Sequence, residues 1–142
     1  MEIALDCVEV KNIRLNGKYL EVDLENLGPN RFDGILQMDG EGLATSTLVF
    51  LDIEGTGSLC FMLPDQKEGK WSVSAKIMRN GQEIAISSTT LYLRFSPALS
   101  SYSYQAGSLS LFIKNRGSAM GAGTATFKIM DILLSEEFFL KV

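Results

Sequence analysis

The stretch Ile13–Gly28, IRLNGKYLEVDLENLG, recurs in outline 89 positions later as Tyr102–Gly117, YSYQAGSLSLFIKNRG. Leu20 aligns with Leu109, Val22 with Leu111, Leu24 with Ile113, Asn26 with Asn115 and Gly28 with Gly117, and Gly34 and Gly123 keep the same offset. An internal repeat restricts a chain more than any single residue does, because each copy must be one structural unit and the two must share an architecture.

The units are β-structured. Val8–Leu15 runs into Asn16–Gly17, a dipeptide that tolerates positive φ and therefore favours a tight hairpin. Tyr19–Glu25 alternates, with Leu20, Val22 and Leu24 on one side and Glu21, Asp23 and Glu25 on the other, the mark of a half-buried strand. Phe32–Met38, Thr45–Ile53, Leu59–Leu63, Trp71–Met78 and Glu83–Phe95 follow, separated by Gly-, Pro- and Asn-bearing turns that include a second Asn-Gly at 80–81. About seven strands with turns every 8–12 residues predict an antiparallel β-sandwich of immunoglobulin-like type over residues 1–95.

Residues 96–142 then begin a second copy. Ser96–Ser101 reads as a linker, and Tyr102, Tyr104 and Leu109–Ile113 repeat the first hairpin. Ala119–Ala122 reads as a small-residue loop, Gly123–Met130 as a third strand and Glu137–Val142 as a fourth. Four strands do not close a sandwich, so the second unit is expected to be incomplete and to need cover for its inner face. Truncation of a longer multi-repeat protein, or strands supplied by a second chain, is expected ahead of a half-unit that enlarges a sheet of the first domain.

The segments VDLENLGPNRFDGILQMD and LFIKNRGSAMGAGTATFKIMD, at 22–39 and 111–131, resemble the immunoglobulin-like repeats of prokaryotic surface proteins. The similarity is greatest to the cell-adhesion-related type called CARDB and its archaeal S-layer-associated relatives. Phe61–Ile77, with Pro64, a polar loop, Gly69 and then Trp71 opening an alternating strand, resembles the corner before the sixth strand of such sandwiches. The resemblance implies tandem sandwich domains at an extracellular or cell-surface location, as part of a larger protein, with roles in adhesion, spacing or ligand presentation. It implies no catalytic residues.

Composition narrows the chemistry. Among 142 residues there is no histidine, so Ser-His and Cys-His nucleophilic pairs are excluded, as are the commonest zinc sites. A net charge of −4 without a basic block argues against nucleic acid. No apolar run approaches the ~20 residues of a membrane span. The opening MEIALDCVEV carries acids where a signal peptide carries bases, which leaves the cytoplasm open as a location. Cys7 and Cys60 lie in apolar alternating stretches and are expected to be small buried side chains, within reach of a disulfide only if their strands are neighbours.

Gly55 with Gly57 and Gly121 with Gly123 read as turn glycines, since neither pair opens a helix. The acid pairs Asp23/Glu25, Asp52/Glu54, Asp65/Glu68 and Glu136/Glu137 read as solvated faces rather than opposed catalytic carboxylates. Asp33, Asp39, Glu41 and Asp131 lie near turns without the spacing of a calcium loop. Trp71, Tyr102 and Tyr104 are expected to face a core; were both tyrosines exposed, they would form an aromatic platform for carbohydrate or protein. The expected function is therefore a non-enzymatic structural or adhesion module without catalytic, cofactor or metal residues, partnered by protein or by itself through the incomplete repeat. A carbohydrate-binding accessory domain of a secreted hydrolase, and a structural protein of a virus or secretion apparatus, are the alternatives.

Overall fold

Alternation of apolar and polar side chains dictates strands from one end of the chain to the other, and the computed structural model, which describes residues 6–142, contains eleven of them among these residues. They are β1 (Val8–Asn16), β2 (Tyr19–Asn26), β3 (Phe32–Gly40), β4 (Leu43–Leu51), β5 (Thr56–Met62), β6 (Gly69–Arg79), β7 (Gln82–Leu93), β8 (Pro97–Gln105), β9 (Ser108–Asn115), β10 (Gly121–Ile129) and β11 (Ile132–Leu140). All named strand pairs are antiparallel. Among the described residues no helix is long and apolar enough to cross a membrane.

The first seven strands form two sheets, ordered β1-β2-β5 and β4-β3-β6-β7. Their inward residues make one core. Leu20, Val22 and Leu24 of β2 share it with Leu36 and Met38 of β3 and with Trp71, Val73, Ala75 and Ile77 of β6. Each fully buried aliphatic side chain here contributes about 1.5–3 kcal/mol of hydrophobic stabilisation. Trp71 is buried as expected, and its indole Nε1 donates to the Glu41 carbonyl at 3.0 Å. Gly40 makes room for that ring, since a Cβ there would lie 2.8 Å from Cζ2.

The acidic face of β2 is wet, but it is not bare. Arg14 of β1 pairs with both Glu21 and Asp23, and Lys11 reaches Glu25 at 2.7 Å. The amide of Asn16 donates to Glu21 at 2.9 Å and, with the Arg14 charge, holds its carboxyl below the usual range. Hydrogen bonds to Glu25 and then Glu9 raise the Lys11 ammonium. These are cross-strand pairs on an exposed ladder, each a modest contribution.

The corner between β2 and β3, where the chain leaves one sheet for the other, is held by Asn26. This side chain is 1 % exposed. Its Nδ2 donates to the carbonyls of Asn30 at 2.8 Å and Asp52 at 3.0 Å, and its Oδ1 accepts from the Gly28 amide at 3.0 Å. Both amide protons are used, which an aspartate could not match. The backbone amide of Leu27 donates to the Cys7 carbonyl beside it.

The same corner recurs. β8 to β11 begin and end 89 positions after β1 to β4 at every boundary. The bulge between Val10 and Asn12 has its counterpart between Leu99 and Ser101. Asn115 donates to the carbonyls of Ala119 and Lys141 and accepts from the Gly117 amide, and the amide of Arg116 donates to Ser96. Each of these bonds matches one at Asn26 shifted by 89.

Two expectations are overturned. Ser96–Ser101 is no linker: β8 starts at Pro97, and Pro97, Ala98, Leu99 and Ser101 each oppose a residue of β9, with only Ser100 bulged out. The last strand begins at Ile132 rather than Glu137, after a tight turn in which Met130 takes a φ of 55° without a glycine to announce it.

Replacing Asn26 with alanine strips three bonds from a buried corner and is expected to cost about 2–4 kcal/mol. Calorimetry should show the melting temperature fall by about 10–20 °C. The same change at Asn115, which is only half-buried, should cost clearly less. A separate pH titration checks the Glu21 ladder. A depressed carboxyl stabilises above its unfolded pKa and loses that contribution as pH falls through the folded value. The small advantage of the native chain over Glu21→Gln at pH 7 should therefore shrink as pH falls below ~4.3, the unfolded glutamate value, and vanish once pH passes the folded one.

Candidate functional site: the open hairpin edges

β2 is paired on both sides, by β1 and by β5, and β3 likewise by β4 and β6. Their counterparts are not. Among the described residues β9 pairs only with β8, and β10 only with β11, so β8–β11 form two separate two-stranded sheets. β9 and β10 therefore each present a row of unpaired backbone N–H and C=O groups at the position that β5 or β6 fills in the first seven strands, besides the outer edges of β8 and β11. Between the hairpins lies an open cleft of about 310 Å³ lined by Leu99, Leu111, Ile113, Ala125, Phe127 and Phe138 among others.

The residues that line it sit where the first half keeps its core. Leu109, Leu111 and Ile113 match the buried Leu20, Val22 and Leu24, but are only half-buried. Tyr102 and Tyr104 match Ile13 and Leu15 and are 71 % and 67 % exposed. The expectation that these tyrosines face a core is corrected. They share a face with Leu109 and Leu111, yet the β10–β11 pair across the cleft leaves them uncovered.

The segment β8–β11 is nonetheless seated on the first seven strands. Ser118 and Ala119 donate their backbone amides to the Arg94 carbonyl, at 2.8 and 3.0 Å, and Ser118 Oγ accepts from the Arg94 amide. The Met120 amide donates to Gln66, and the Val142 amide to Asp65. Ala119 is fully buried and belongs to the first core. Small residues permit this contact: a Cβ on Gly117 would collide with the Arg94 carbonyl, and one on Gly121 with the Phe95 ring. The first copy carries Pro29-Asn30-Arg31-Phe32 at the matching positions of this loop, and there Phe32 is itself buried.

The remaining candidates are dispersed. Asp23 and Glu25 are engaged by Arg14 and Lys11 respectively, and Asp52 by Arg31. Asp65 and Glu68 accept backbone amides at the junction, from Val142 and Phe95, a role the sequence did not suggest. Glu136 and Glu137 occupy successive, opposite-facing positions of β11. Among the described residues no three His, Cys, Asp or Glu side chains converge. Asp33 lies opposite Phe50, Asp39 opposite Ala44, and Asp131 in the β10–β11 turn, so they do not meet.

Cys7 and Cys60 are exposed rather than buried. Cys7 hydrogen-bonds beside Leu27 and Cys60 lies opposite Glu21, six residues away along β2. That is about 20 Å of strand, well beyond the reach of a disulfide. An apolar patch on the outer face of the four-stranded sheet, with Ile35, Leu48 and Phe50, was also missed, since alternation there reads as the core side of a strand buried on one face only. No family model, curated protein or solved structure matches this chain.

Substituting Gly117 with alanine should unseat the C-terminal half by about 2 kcal/mol while sparing the first core. Limited trypsin digestion is the measurement: cleavage after Arg94 should accelerate about 30-fold, with little change in the main melting transition.

Proposed function

We propose that this chain is a non-enzymatic structural or adhesion module. In this reading the first seven strands are an immunoglobulin-like sandwich, and β8–β11 are an incomplete second copy held out as a strand-accepting surface. Its site is backbone, not side-chain chemistry: the free edges of β9 and β10 take an added strand, and the apolar cleft between them takes its inward side chains. The observation that carries the reading is the pair of edges left open at the two positions where β5 and β6 close the first copy.

The seat at Arg94 supports the mechanical half of this reading. Backbone bonds from Ser118 and Ala119, with Ala119 buried in the first core, fix the direction in which the edges face. A rigid scaffold that aims an open edge suits adhesion or spacing at a cell surface, as the resemblance to prokaryotic surface repeats implies. The exposed Tyr102 and Tyr104 of β8 favour a second reading, carbohydrate stacking on an aromatic pair.

A strand offered in solution distinguishes these. The peptide GKWSVSAKIMR, which is β6, pairs antiparallel with β3 in the first copy. Labelled and added to the diluted chain, it should bind and raise fluorescence anisotropy. The same peptide with proline for Val73 and Ala75 should not, because proline removes ladder donors. Equal signals from both peptides would sink the strand-accepting reading, and tyrosine quenching by oligosaccharides without peptide binding would install the carbohydrate one.

A further inference from the structure

The occupant of the open edges can be read from the first copy, where each edge has a neighbour of known direction. β5 runs antiparallel to β2, and β6 runs antiparallel to β3. Any partner must therefore supply two antiparallel strands at once, one in each layer. A single two-fold axis perpendicular to the sheets does this with no other component. It sets β9 against β9 of a second copy and β10 against its β10, and both pairs are antiparallel by symmetry.

The strand order also fits. In the first copy the order β4-β3-β6-β7 places an antiparallel hairpin, β6–β7, beside β3. The β10–β11 hairpin of a second copy would stand in that place, giving β11-β10-β10-β11. In the other layer its β9–β8 hairpin would fill the place of β5, giving β8-β9-β9-β8. Eight strands then enclose the cleft from both sides.

Register and sequence are compatible with such a contact. β5 covers Tyr19–Glu25 of β2, which corresponds to Ser108–Lys114 of β9. Two-fold pairing over those seven residues is centred on Leu111, sets Leu109 opposite Ile113, and sets Lys114 opposite Ser108. No like charges meet. Edges kept from pairing are usually blunted by proline or several charges, whereas β9 and β10 have no proline and one lysine each, Lys114 and Lys128.

We infer that this chain forms a two-fold dimer in which the β8–β11 halves of two copies complete one another, joining β9 to β9 and β10 to β10 around the apolar cleft. The inference rests on the strand-accepting reading above and names its partner as a second copy. The dimer carries a first-copy domain on each side and covers Tyr102 and Tyr104.

Light scattering on the eluting full chain should give twice 15.6 kDa at micromolar concentration. Leu111→Cys, in a Cys7→Ser, Cys60→Ser background, should then form an intermolecular disulfide under mild oxidation, because directly opposed strand residues lie about 4.5–5.5 Å apart between Cα atoms. Lys76→Cys, on the far four-stranded sheet, should cross-link at least ten times more slowly. A monomer by light scattering that still binds the β6 peptide overturns the second-copy inference and leaves the strand-accepting reading standing. A monomer that binds no peptide overturns both. A dimer whose Leu111→Cys variant cross-links no faster than the Lys76→Cys control joins through another face and also overturns the inference. The light-scattering measurement needs no substitution, so a poorly folding variant does not protect the idea.

Discussion

A strand that leaves one sheet and enters the opposite one must turn a corner in which backbone groups cannot pair with a ladder. At residues 26–30 that problem is solved by one side-chain amide, whose two protons reach two carbonyls and whose oxygen takes the next free amide. Because one of those carbonyls belongs to Asp52, just past β4, the same amide also fixes where the second hairpin ends relative to the first. Everything inward follows from that spacing: Leu20, Val22 and Leu24 can meet Leu36 and Met38 only if the two hairpins are set at the right separation. The equivalent amide at Asn115 holds two hairpins in the same relation although most of the surrounding core is missing. Local polar clasps, rather than burial, account for the shape of β8–β11.

Burial and polarity are divided accordingly between the two halves. The first seven strands have the ordinary arrangement, with apolar side chains between sheets and charged pairs such as Arg14 with Glu21 on the wet face. The C-terminal four spend their burial on the junction, where Ala119 enters the neighbouring core and Gly117 and Gly121 allow backbone and ring to approach. What remains is apolar surface that the opposing strand pair leaves open. An exposed apolar face bounded by unpaired strand edges is a surface that associates, and its seat on a folded neighbour decides which way it faces.

Much of this architecture was legible in the residues. Alternation in Tyr19–Glu25 and Trp71–Met78 located strands and their inward faces, and Asn16–Gly17 and Asn80–Gly81 located hairpins, with φ positive at Gly17, Asn80 and Gly81. The aligned Asn26 and Asn115 marked the corners, though nothing in one sequence said that their amides bridge hairpins. Periodicity assigns a face but not a cover, which is why Tyr102 and Tyr104 were expected in a core and instead stand exposed. Cys7 and Cys60 failed for a related reason: Cys60 takes the outward phase of β5 and Cys7 lies just before β1, while their neighbours carry the apolar signal. The junction was invisible because small residues in a loop read as a turn until the carbonyl of Arg94 is seen against them.

The difference between Gly121 and Phe32 limits how copies of this chain can add to one another. At Gly121 the absent side chain leaves the volume that Phe95 of the preceding segment occupies, whereas at the matching position Phe32 fills it with its own ring. The corner at 29–32 therefore has no vacancy to receive the end of another molecule in the manner of the corner at 118–121. A ring from elsewhere cannot lie against residue 32 as Phe95 lies against Gly121, so an end-to-end contact at that corner would need a different geometry. The two corners share their asparagine clasps, yet they are not interchangeable as docking points.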